Sequence, residues 1–226
     1  MVANASMNRG RGLEGTNSYS KDLGLNPVEW LVGCLDAKRT AAWLDLCCGS
    51  GRALLEAGMR LESLGLRDRV AVFGVDLVRM FVNVPGELDF VRLEEGSLLR
   101  LRPRRRFDLI TCVHGLHYVG DKLAAIERAA SWLAPGGLFR ANFDVASTKV
   151  AGLQKSRVAA ELRRAGFSYA ARTRILACRG PKKVTLPFEY EGADDAAGPN
   201  YTGQPAVDSY YVRARGATAP EGFDRE

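Results

Sequence analysis

The stretch Trp43-Leu44-Asp45-Leu46-Cys47-Cys48-Gly49-Ser50-Gly51-Arg52 narrows the folding choices of this chain more than any other. A β-prone apolar run ends in an acid, a turn of small residues follows, and a helical pattern starts at Arg52. Gly49 and Gly51 let backbone approach a ligand that a Cβ would hold off. The helix that begins there aims unpaired N–H groups and the positive end of its dipole at the same point. A strand, a glycine turn and a helix N-terminus make a nucleotide-type site. The dinucleotide fingerprint needs a further glycine three residues after Gly51, and Leu54 stands there, which argues against NAD.

The order of later motifs sharpens the reading. A second acid, Asp76, closes the apolar run Val70-Ala71-Val72-Phe73-Gly74-Val75. Phe107-Asp108-Leu109-Ile110-Thr111-Cys112 and Leu133-Ala134-Pro135-Gly136-Gly137 follow in turn. Over residues 41–144 this succession resembles the class I S-adenosylmethionine-dependent methyltransferases. The resemblance implies S-adenosyl-L-methionine as cofactor and assigns its parts. Asp45 would receive the ammonium of the methionine end, Gly49 and Gly51 would pass close to that end, and Asp76 would accept the ribose hydroxyls as charge-assisted hydrogen bonds. Ser97, with the Leu98 backbone N–H, would meet adenine where the family usually places an acid. Leu77 and Val113 flank these positions and complete the implied cofactor set. Cys47 replaces the first glycine of the usual turn and is small enough to be tolerated there.

The segment after the fourth apolar run reads Val113-His114-Gly115-Leu116-His117-Tyr118-Val119-Gly120-Asp121 and carries both histidines of the chain. The Asn/Asp-Pro-Pro-Tyr/Phe motif of base amino-methyltransferases is absent here, and the pattern resembles small-molecule methyltransferases. His114 and His117 are the candidate catalytic bases, since imidazole titrates near working pH; the alternative for each is a structural place in the pocket wall. Candidates to line the acceptor site are Tyr19, Asn142, Asp144, Tyr201 and Gln204. The last two sit in the Gly/Pro/Asn-rich stretch 198–205, a long loop for a compact domain.

Composition bounds the partners. Apolar residues at 46% and charged residues at 26% are ordinary for a globular domain. No apolar run nears the roughly 20 residues of a membrane span, and the first residues lack the apolar core of a secretory signal. Five cysteines, with no CxxC pair, read as buried thiols in a reducing, cytoplasmic compartment rather than as a metal or redox set. The net charge of +6 owes much to Arg100, Arg102, Arg104, Arg105 and Arg106. That run is either a patch for phosphate or RNA or a solvated loop between two buried strands; no aromatics interleave to stack bases.

Strand-like and helix-like runs alternate, so the expected fold is α/β: a mostly parallel seven-stranded sheet with helices on both faces and an antiparallel C-terminal strand. Strands are expected at 41–46, 70–75, 88–93, 107–113 and 138–143, and helices at 52–64, 121–133 and 150–165. Asn26-Pro27 reads as the cap of an N-terminal helix. A hairpin is expected over 170–178 and 182–190, turning at Arg179-Gly180-Pro181, and a last strand at 207–214. Residues 1–25 are expected to be flexible, 26–215 to form one domain, and 216–226 to be disordered. The leading functional expectation is methyl transfer to an O or N atom of a small molecule such as a specialised metabolite or nucleoside. Two alternatives stand beside it: an RNA or protein methyltransferase docking through the arginine run, and a non-catalytic binding protein of the same fold.

Overall fold

A computed structural model describes residues 10–214; the expected C-terminal tail at 216–226 and the first nine residues lie outside them. Helices α1 (Tyr19–Leu23) and α2 (Pro27–Ala37) precede β1 (Ala41–Leu46), α3 (Arg52–Ser63), β2 (Val70–Asp76), β3 (Val91–Glu95) and β4 (Phe107–Cys112). Then come α4 (Lys122–Ser131), β5 (Leu133–Asn142), β6 (Thr148–Val150), α5 (Lys155–Arg164), β7 (Ser168–Ala170), β8 (Ile175–Arg179), β9 (Phe188–Asp194) and β10 (Asp208–Arg213). The main sheet has seven strands in the order β3-β2-β1-β4-β5-β8-β7. The five strands β1 to β5 run parallel, and β8 is antiparallel to both of its neighbours.

The sheet is covered on both faces, which is why its central strands are mostly apolar. All six residues of β1 are buried, and they alternate between two cores. Trp43 packs with Leu31, Leu35, Leu54 and Leu61 of α2 and α3. Leu44 packs on the other side with Leu123, Ile126, Val158 and Leu162 of α4 and α5. By the same alternation Asp45 faces the Trp43 side, into a fully buried position. Asn26 caps α2 as its sequence suggests, its side-chain oxygen accepting from Val28 N at 2.9 Å. Residues 11–24, in the segment expected to be flexible, are packed: Leu13, Tyr19 and Leu23 all sit in the core with Trp43.

Several boundaries depart from expectation. The third strand spans Val91–Glu95, because a 3-10 turn takes Gly86–Leu88. The fifth strand starts at Leu133, so Pro135-Gly136-Gly137 lies within it as an irregularity instead of stopping a helix. Gly137 is required there, since a Cβ would sit 2.7 Å from the Phe107 carbonyl. The helix expected at 150–165 begins only at Lys155: Thr148 and Val150, both β-branched, form β6, and Gly152 turns the chain at φ 69°.

The expected hairpin is replaced. Ile175–Arg179 pairs with β5 and with Ser168–Ala170, so the hairpin lies one strand earlier. Pro181 and Pro187 supply no N–H to a ladder, which disfavours a strand at 182–187. The chain instead leaves the main sheet to build a second one, in the order β6-β10-β9. The run expected as the last main-sheet strand is β10, the middle of that second sheet. Fully buried Lys122 ties it to the start of α4: its ammonium donates to the carbonyls of Val119 (3.1 Å) and Val207 (2.6 Å) and to Ser209 Oγ (2.8 Å). No helix among the described residues is long and apolar enough to cross a membrane.

Candidate active site at the carboxyl ends of the strands

The turn after β1 bends through left-handed backbone at Cys47 (φ 61°), Gly49 (φ 61°) and Gly51 (φ 75°). Gly51 opens α3, and a Cβ on it would meet the Leu93 side chain at 2.4 Å. The turn is fastened to β2: Cys48 N donates to the Val75 carbonyl at 3.1 Å, and Gly49 N to Asp76 Oδ2 at 2.9 Å. The other Asp76 oxygen accepts from Val78 N at 3.1 Å. Two backbone donors thus orient the carboxylate at the end of β2.

Cys47 holds a conformation that glycine adopts freely and that costs an L-residue about 1–2 kcal/mol. Cys47→Gly is therefore expected to be more stable than Cys47→Ala by about 1 kcal/mol, the reverse of the usual order. Denaturant unfolding of the two variants checks it; an alanine variant at least as stable as the glycine variant would contradict it.

A cavity of about 570 Å³ lies against this turn. Of the residues expected to hold cofactor, Cys47, Asp76, Leu77, Ser97 and Leu98 line it. Gly49 stands behind it through its bond to Asp76. Asp45 and Val113 do not line it; both are buried beside α1. Asp45 accepts from the Tyr19 hydroxyl at 2.6 Å and from the Thr111 hydroxyl, which in turn accepts from the Trp43 indole N–H at 2.8 Å. Burial raises the Asp45 carboxyl to about 7, against the pull of both hydroxyl donors. The cavity also takes in residues without a sequence signal: Tyr118, Val119 and Gly120, and, on or next to the second sheet, Ala193, Asp195 and Val207.

Beyond the ends of β4 and β5 lies a second group. His114 is buried and left-handed at φ 55°. Asn142 holds it in place: its Oδ1 accepts from His114 N at 3.2 Å, and its Nδ2 donates to the Asp22 carbonyl at 3.1 Å. His114 Nε2 lies 3.6 Å from Asp22 Oδ2, and its Nδ1 lies 3.4 Å from His117 Nε2. The Tyr201 ring meets the His117 ring edge-on at 5.4 Å between centroids, and the Arg174 guanidinium stacks on Tyr201 at 3.8 Å. Arg174 also faces Asp144 at 3.6 Å and is itself left-handed at φ 54°. Burial, followed by the nearby His114, lowers His117 to about 3, so its imidazole is neutral at working pH. Burial raises the Tyr201 hydroxyl to about 12.

His114, His117, Asn142, Asp144 and Tyr201 are therefore brought together. Tyr19 is not among them: its ring packs on Trp43 and its hydroxyl is spent on Asp45. Gln204 belongs to the internal turn of its loop, its backbone carbonyl accepting from Asn200 N at 2.8 Å. The loop is anchored by Val207 N donating to the His117 carbonyl at 2.8 Å. Among the described residues, the non-glycine residues with positive φ are Cys47, His114 and Arg174, and all three sit at this end of the sheet. Strain of about 1–3 kcal/mol per residue persists where surrounding contacts over-determine it, and it clusters at working sites.

The donor set fits S-adenosylmethionine. A carboxylate already oriented by backbone suits a ribose diol, apolar Val75, Leu98 and Val119 suit a purine, and the glycine turn permits close approach. A family model described as "Methyltransferase domain" matches residues 28–171. No curated protein matches the sequence. Similar solved structures include PKMT2 from Rickettsia typhi in complex with AdoHcy, at 23% identity and TM-score 0.41, covering 53% of this chain and 25% of that one. YjhP from E. coli is similar at 19% identity and TM-score 0.40, covering 60% and 54%. SAM-bound CalS10, an amino pentose methyltransferase from Micromonospora echinaspora, is similar at 22% identity and TM-score 0.35, covering 57% and 58%. The chain thus spans less than two thirds of the length of each.

Proposed function

The chain belongs to the class I S-adenosylmethionine-dependent methyltransferase family, and from that premise we propose that it methylates an O or N atom of a small molecule held beside His114. The observation that carries this reading is the roofed group of His114, His117 and Tyr201, next to the cofactor cavity at the carboxyl ends of the strands. His114 is 8% exposed and His117 1% exposed, which suits a small acceptor better than the surface of a folded macromolecule.

When bound, S-adenosylmethionine supplies a methyl group already activated on its sulfonium. The residues of the chain position the acceptor in line with it and exclude water. In such a transfer the acceptor O or N would bond to the methyl carbon as the carbon–sulfur bond breaks, and the chain would have to take up the acceptor proton. His114 is the base in this reading, with Asp22 behind it. His117, neutral throughout the working range, donates or accepts a hydrogen bond but carries no charge. Asp45, whose carboxylate already accepts from the Tyr19 hydroxyl, would hold the ammonium of the methionine end.

The arginine run weighs little in favour of a nucleic-acid substrate. Arg106 donates to the carbonyls of Ser131 (2.8 Å) and Leu133 (3.1 Å), and Arg105 stacks on Phe73. Both sit at the start of β4, one six-residue strand away from the histidines at its other end. Such a strand is about 20 Å long. The test is transfer of labelled methyl from cofactor to panels of small molecules, RNA and protein at two salt concentrations. Label in small molecules, at a rate that barely moves with salt, is expected. Label confined to RNA or protein, and falling steeply with salt, would overturn the reading.

A further inference from the structure

The cavity beside the glycine turn raises a question of acceptors. The adenosine half of the cofactor presents two groups that need strong hydrogen-bond acceptors: the ribose diol and the 6-amino group of adenine. Asp76 answers the first. The segment after β3 brings no carboxylate to the second: Glu94 and Glu95 are exposed on the strand, and what lines the cavity is Gly96, Ser97, Leu98 and Leu99. The cavity nevertheless has a second carboxylate. Asp195, from the segment following β9, lines it together with Ser97 and Leu98.

We propose that Asp195, carried over the cavity by the second sheet, accepts the adenine 6-amino group and so sets the base specificity of the cofactor site. The position is built. Next to it, Gly120 is packed so closely that a Cβ would meet the Tyr190 hydroxyl at 2.8 Å and the Ala193 Cβ at 3.6 Å. Lys122 clamps the returning strand through Val207 and Ser209. Asp194 fixes the turn itself, its Oδ1 accepting from Ala196 N at 2.8 Å. A carboxylate in this place accepts from an amino group and repels a carbonyl oxygen, so it favours adenine over a 6-keto purine. The second sheet then does more than cover the pocket: it supplies an acceptor that the main sheet lacks.

This inference rests on the cofactor reading above, and the experiment separates the two. The full chain is titrated calorimetrically with S-adenosylhomocysteine and with its 6-keto counterpart, S-inosylhomocysteine. The wild type, Asp195→Ala, Asp195→Asn and, as a charge-matched control on the adjoining strand, Glu191→Gln are compared. Asp195 is exposed, and urea unfolding of the same samples checks that each variant is folded. The wild type is expected to prefer the adenine compound by tenfold or more. Asp195→Ala should lose about tenfold for that compound, on the scale of one hydrogen bond to a charged group. Asp195→Asn should narrow or reverse the preference, because its amide N–H₂ can donate to the 6-keto oxygen, while Glu191→Gln stays within about twofold of wild type. Wild-type discrimination in both Asp195 variants would overturn the inference while leaving the cofactor reading intact. Failure of the wild type to bind either compound would overturn both.

Discussion

Asp76→Ala is expected to weaken binding of S-adenosylhomocysteine by about 100-fold or more. Two losses combine. The ribose diol loses a charged acceptor, worth about 1.5–3 kcal/mol. The Gly49 and Val78 N–H groups lose the oxygens that hold them at 2.9 and 3.1 Å, so the glycine turn keeps only the Cys48–Val75 backbone bond to β2. Asp76→Asn keeps one acceptor oxygen but sets an amide N–H₂ against one of those backbone donors, and should fall between alanine and wild type. Calorimetric titration with urea unfolding on the same samples checks both. Wild-type affinity in a folded Asp76→Ala protein would remove Asp76 from the cofactor site.

The second large effect is expected at Lys122, through stability. Its ammonium is fully buried among three oxygen acceptors that join α4 to the second sheet. Lys122→Met keeps much of the volume but strands two carbonyls and the Ser209 hydroxyl, at about 1–3 kcal/mol each where they stay buried. Relief of the buried charge offsets part of this. The net loss should be about 3 kcal/mol, a fall in Tm of about 6–12 °C for a chain of this size. Because Val119 and Val207 also line the cavity, cofactor affinity should fall with it. The pH dependence carries a distinct signature. Burial lowers Lys122 from 10.5 to about 8, so between those values the unfolded chain holds a proton that the folded chain has lost. Wild-type stability therefore gains from this group as pH rises through that window, and Lys122→Met lacks the gain. The stability gap between the two proteins should widen from pH 8 to 10.5; a constant gap would show that Lys122 is not held in a site that disfavours its charge.

What was legible in the sequence follows from the range of the interactions involved. β1, β2 and β4 read as continuous apolar runs because each is buried on both faces, and the glycine turn with Asp76 read as a site because all its parts are local or on adjacent strands. The second sheet was not legible. It joins Thr148 to Ser209 and Ser209 to Ala193, pairings that no local pattern announces. The expected hairpin failed for the same reason: Ile175–Arg179 was correctly β-prone, but its partners are β5 and β7, and the prolines that bar the later run from the ladder were in plain view. Residue type and loop length point to the two histidines and Tyr201, which the fold brings together. They do not point to Asp22 or Arg174 beside that group, or to Asp195 at the cavity, since each is brought there only by tertiary packing. Tyr19 was read as lining the acceptor pocket and is instead the hydroxyl partner of Asp45.

The histidine count makes the central claim directly measurable. S-adenosylmethionine carrying a ¹³C-labelled methyl, bound to the full chain, is examined by isotope-edited nuclear Overhauser spectroscopy. With only two histidines in the sequence, imidazole signals are assigned from His114→Gln and His117→Gln alone. The account predicts cross-peaks from the labelled methyl to the His114 ring, because the acceptor group lies where the methyl is delivered. Bound cofactor whose methyl shows contacts to neither imidazole would contradict it, and would place the methyl acceptor elsewhere on the molecule.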